Sequence, residues 1–141
     1  MKTKLFLLLT ILLFGMNFKT LSQDVKMNSS TDSLCILWTS ADPDVALKMV
    51  FMYATNSKLK QWWGDVELIV WGPSAKLAAD NPEIQSEIKK MIEKGVRFEV
   101  CKACSDQYGV SDKLSSLGIS VKYMGQPFTK ILKSGKKLIT F

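Results

Sequence analysis

Along most of this chain apolar positions form short strand-like runs in turn with stretches at helical spacing, and each switch marks an element. Residues 34–39 (Leu-Cys-Ile-Leu-Trp-Thr) are almost uniformly apolar, as in a strand buried on both faces. Asp42 can cap the following helix with Pro43 at its first position, and Ala46, Met49, Val50, Tyr53 and Ala54 carry it to about Asn56. Residues 66–71 give a second strand, stopped by Gly72-Pro73, with one helical turn over 74–79. Asn81 and Pro82 then open the clearest helix, with Ile84, Ile88, Met91 and Ile92 on one face, Glu83, Glu87 and Lys90 in water, and Gly95 as the stop. Val96, Phe98 and Val100 alternate with Arg97 and Glu99 in a third strand over 96–100.

The remaining elements are shorter. Ser111 is expected to cap a helix holding Leu114 and Leu117, ended by Gly118. A fourth strand over 119–124 follows. Gly125-Gln126-Pro127 opens a last helix with Phe128, Ile131 and Leu132 inward, and residues 138–141 form a fifth strand. The βαβαβαβαβ order implies an α/β fold, a parallel sheet with helices on both faces. A flavodoxin-like strand order would set residues 39–42 beside Cys101. The alternation in the third strand is unusual for a central parallel strand. It places that strand near an edge, or turns Arg97 and Glu99 toward a polar site or a neighbouring subunit. Trp62 and Trp63 either cover a helix–sheet seam or mark a partner surface.

The N-terminal pattern differs. Lys2 and Lys4 precede an apolar run over 5–16, and Thr20-Leu21-Ser22 offers small residues where a signal peptidase reads. Residues 1–22 are therefore expected to be a signal peptide, 23–33 a flexible lead-in and 34–141 a single domain, exported to the periplasm or secreted. The apolar run is too short for a comfortable span, so no stable membrane span is expected after cleavage. Asn28-Ser29-Ser30 is a formal glycosylation acceptor. The charge of +6 falls with Lys2, Lys4 and Lys19 to sixteen basic against thirteen acidic residues. That balance is too mild and scattered for nucleic acid, and Arg97 is the only arginine.

Composition narrows the chemistry sharply. The chain has no histidine, which removes Ser-His and Cys-His pairs and histidine metal sites. Its three cysteines, Cys35, Cys101 and Cys104, cannot close a four-cysteine zinc site. No Gly-rich dinucleotide or phosphate-loop motif is present, so no cofactor and no metal is expected. Cys35 reads as a core residue. Cys101 and Cys104 form a C-x-x-C at the carboxyl end of the third strand, where Lys102 and a helix start would favour a thiolate. The pair can be a sulfur-carrying thiol, a redox dithiol, or a structural disulfide without chemistry.

From Cys101-Lys102-Ala103-Cys104 through Tyr108-Gly109-Val110, Leu117-Gly118-Ile119, Val121-Lys122-Tyr123-Met124-Gly125 and the closing Leu138-Ile139-Thr140-Phe141, the chain resembles the DsrE/DsrF-like family. Trp38-Thr39-Ser40 and Val70-Trp71-Gly72-Pro73 are also of the family type. The resemblance implies a three-layer fold on a five-stranded, mostly parallel sheet, commonly assembled as a homo-oligomer, a trimer or hexamer. It implies a persulfide role for Cys101, so that the chain would be a sulfur carrier or sulfurtransferase. Its partners would be a sulfur donor or acceptor protein or a small sulfane-sulfur compound. Cys104 is not required by that pattern and leaves room for a resolving thiol. A signal peptide is a departure, because the well-understood relay members are cytoplasmic.

Overall fold

The computed structural model describes residues 32–141; the expected signal peptide, most of the lead-in and the Asn28 acceptor lie outside the described residues. Five strands, β1 (Ser33–Trp38), β2 (Asp65–Val70), β3 (Arg97–Cys101), β4 (Ser120–Lys122) and β5 (Lys137–Thr140), form one all-parallel sheet. Helix α1 joins β1 to β2 in three parts: Pro43–Val45, a π-helical Ala46–Phe51, and Met52–Leu59. Next come α2 (Pro73–Asp80), α3 (Pro82–Glu93), α4 (Lys102–Gln107), α5 (Ser111–Ser116) and α6 (Gly125–Lys133). The α3 start follows its sequence signal: the Asn81 side chain accepts from the Glu83 and Ile84 amides, with Pro82 first.

The strand order is β4-β3-β2-β1-β5, not the flavodoxin-like order. β2 lies between β1 and β3, so residues 39–42 do not adjoin Cys101. The end of β1 is tied instead to the chain terminus: the Thr39 amide and hydroxyl both donate to the Phe141 carbonyl, at 2.7 and 2.8 Å. The first three crossovers step one way along the sheet and the last steps back past them. Right-handed connections then place α6 on the opposite face from the other helices.

The two faces pack accordingly. Leu34, Ile36, Trp38, Val66, Leu68, Val70, Phe98 and Val100 meet α1, α2, α3 and α5 in the main core. The other face carries a smaller cluster of Cys35, Ile69, Cys101, Met124 and Ile131, with Phe128 against it. Leu132, expected inward, is 57% exposed, because α6 presents Phe128 and Ile131 to the sheet.

One nine-residue helix cannot cover five strands, and ions fill the remainder. Arg97 donates to Asp65 through Nε and Nη2 at 3.0 and 2.7 Å and reaches Glu67 at 3.2 Å. Lys136 meets Glu67 at 3.3 Å, and Lys122 pairs with Glu99. This explains the alternation in β3, which is next to the edge strand. Trp63 packs on the main core, whereas Trp62 stays 52% exposed against Tyr53 and Lys60.

Candidate functional site

β3 delivers Cys101 to the carboxyl edge of the sheet, and α4 begins at the next residue. Cys101 falls on the same face as Glu99, inside the smaller cluster, and is only 4% exposed. Cys104 lies on the first turn of α4, partly buried, and packs on that cluster beside Trp71, Phe128 and Leu37. All three cysteines are free thiols, and the side chains of Cys101 and Cys104 are within hydrogen-bonding reach of each other.

The turn after β2 completes the site. Gly72 has φ 69° and ψ −133°, a conformation outside the range of ordinary L residues, and its amide lies close enough to the Cys104 sulfur to favour the thiolate. Buried Ser74 fixes this turn. Its hydroxyl donates to the Trp38 carbonyl at 2.6 Å and receives the Trp71 amide at 3.1 Å. The Trp71 amide also donates to the Trp38 carbonyl at 3.0 Å. The Trp71 ring rests on Phe128, 5.4 Å between centroids. Gly72-Pro73-Ser74 reads in sequence as an ordinary strand-ending turn. The signal available was its position at a carboxyl strand end, the same edge as the C-x-x-C.

The electrostatics differ from the expectation in one respect. Lys102 does not serve Cys101: its ammonium is paired with Asp106 at 2.6 Å and lies over the Tyr123 ring. Asp106 also accepts from Ser111, which bonds Ser105, so α4 and α5 are held to each other. Ser111 opens α5 from within instead of capping it. The α4 helix is six residues long, and Cys101 makes no capping bond to it.

Burial pushes the Cys104 thiol above its ordinary value; the Gly72 amide pulls it back down, and the contact with Cys101 raises it. Burial first, then the Glu67 carboxylate, pushes Cys35 up to about 12, which makes it an inert core thiol.

Among the described residues no group of three or more His, Cys, Asp or Glu side chains is gathered to hold a metal ion. No described helix is long and apolar enough to cross a membrane. The arrangement offers two neighbouring thiols, one sheltered and one reachable, with a backbone amide nearby. That suits exchange between sulfur atoms, which needs a thiolate and a leaving thiolate but no histidine.

Comparison with known proteins bears on the fold and the family. A conserved protein of unknown function from Bacteroides thetaiotaomicron, BT1422, shares 42% identity, with a TM-score of 0.77 over 78% of this chain and 95% of that one. The ychN protein from E. coli has the same fold at 16% identity, with a TM-score of 0.61 over 79% of this chain and 99% of that one. No curated protein matches the sequence. The profile of the DsrE/DsrF-like family matches residues 33–141, the whole of the described fold from β1 to the terminus, and the chain belongs to that family.

Proposed function

We infer that this protein carries sulfane sulfur as a cysteine persulfide on Cys101, with Cys104 as its companion thiol. The observation that carries the reading is the contact between two free thiols at the carboxyl end of β3. Family membership and the absence of histidine support it, since sulfur exchange needs neither base nor metal. The thiolate attacks the outer sulfur of a donor R–S–SH. The donor S–S bond breaks, its electron pair leaves with RS⁻, and Cys101–S–SH forms. An acceptor thiolate removes the sulfur by the same exchange, so no oxidant or reductant is consumed.

The expected signal peptide supports work outside the cytoplasm, on a small sulfane-sulfur compound or an exported donor or acceptor protein. Assembly as a homo-oligomer belongs to the same reading. The test is retention of polysulfide-derived sulfur. Cys101→Ser abolishes stable retention, and undiminished retention by that variant contradicts the role. The thiol contact also favours a second reading, a Cys101–Cys104 disulfide in an oxidising compartment, structural or used for dithiol exchange.

A further inference from the structure

The two thiols of this site are not equivalent. Cys101 is 4% exposed and walled by Cys35, Ile69, Met124 and Ile131. Cys104 is partly open to solvent and lies near the Gly72 amide, in a turn fixed by an unusual backbone conformation and by the Ser74 bridge to Trp38. The nearby cation cannot substitute for that amide, because Lys102 is committed to Asp106. A donor approaching from solvent therefore meets Cys104 before Cys101.

We propose that Cys104 is the thiol that meets the sulfur donor, held by the Gly72 amide, and that it passes the sulfur inward to Cys101. The proposal rests on the sulfur-carrier reading and assigns the order of events within it. Cys104 loses its proton to solvent and attacks the outer sulfur of a low-molecular-weight persulfide or inorganic polysulfide. The donor leaves as a thiolate and takes a proton from solvent. The Cys101 thiolate then attacks the outer sulfur of the Cys104 persulfide. The Cys104 S–S bond breaks, its electron pair returns to Cys104, and the proton lost by Cys101 returns there with it. The Gly72 N–H stabilises the sulfur anion of Cys104 both as nucleophile and as leaving group, as a fixed donor does for any developing anion. At Cys101 the persulfide is sheltered from bulk thiols.

The test uses the folded protein, limiting inorganic polysulfide, a quench with an alkylating agent, and peptide mass mapping. The parent accumulates sulfur on Cys101. Cys104→Ser slows that accumulation by about tenfold or more, because exchange depends on access to the attacking thiol. Cys101→Ser holds sulfur on Cys104 only until reductant or an acceptor thiol removes it. Without any variant, brief alkylation of the parent labels Cys104 before Cys101. Loading of Cys104→Ser at the parental rate, or labelling of Cys101 first, overturns the proposal while leaving the sulfur-carrier reading intact. A parent that takes up no sulfur overturns that reading and the proposal with it.

Discussion

The Ser74 hydroxyl donates to the Trp38 carbonyl at 2.6 Å, fastening the exit of β2 to the end of β1 inside the protein. Ser74→Ala removes this donor, while the Trp38 carbonyl keeps the Trp71 amide. The loss is therefore one buried hydrogen bond without a wholly orphaned acceptor, about 1 to 2 kcal/mol by urea unfolding. Because the same hydroxyl holds the Trp71–Gly72 turn, alkylation of Cys104 also slows, by about threefold or more, since its rate follows the thiolate fraction. An unchanged alkylation rate with reduced stability would make Ser74 purely structural.

Cys35 should behave unlike the other cysteines. At neutral pH the native protein leaves it unlabelled, and it reacts only on unfolding. Its folded value of about 12 lies above the 9.0 of an ordinary thiol, so the folded state holds the proton longer. That contribution to stability is complete below 9.0 and is lost as pH rises through that interval. Cys35→Ala, which empties a small buried volume, costs about 1 kcal/mol at neutral pH. It also makes the alkaline fall in stability shallower, which urea midpoints across that range would record.

The Arg97 cluster predicts the acid side. Hydrogen bonding to Arg97 holds the Asp65 carboxyl below its ordinary 3.8. A depressed carboxyl contributes fully above that value and loses its contribution as pH falls through the folded one. Stability should therefore drop on acidification below about pH 4, and Arg97→Gln should flatten that drop. At neutral pH the same variant costs about 1 to 3 kcal/mol, because Glu67 and Glu99 stay buried with fewer partners. A parental acid profile in Arg97→Gln would show that Asp65 owes its shift to something else.

Asn81 offers a simpler check on helix formation. Its side chain accepts two amides at the start of α3, at 2.9 and 3.2 Å. Asn81→Ala should cost about 1 kcal/mol, read as a lower urea midpoint, whereas Asn81→Asp should come close to the parent.

The element order, the Asn81-Pro82 helix start and the C-x-x-C at the end of β3 were all legible in the sequence, because each is set by neighbours a few residues apart. Strand order was not. The placement of β5 beside β1 depends on the direction of one late crossover, which periodicity does not encode. That crossover leaves α6 alone on its face, so the polar positions of β2 and β3 meet each other as ions. The carboxylates of Asp65 and Glu67 alternate like Arg97 and Glu99 and could have flagged the shared face. β3 runs over Arg97–Cys101 and β1 starts at Ser33, each boundary one residue from the expectation. β4 keeps only three residues. At the site, Gly72 and Cys104 are thirty-two positions apart in sequence and meet only through the sheet. The Lys102–Asp106 pair, by contrast, is a four-residue helical spacing that could have been read directly.

The most direct measurement is the intact mass of the protein, purified without reductant, before and after brief exposure to polysulfide. The account predicts a species one sulfur atom heavier that reductant removes and whose added sulfur maps to Cys101. A species two hydrogens lighter than the dithiol, unchanged by polysulfide, would contradict it and leave a closed Cys101–Cys104 disulfide in place of a sulfur carrier.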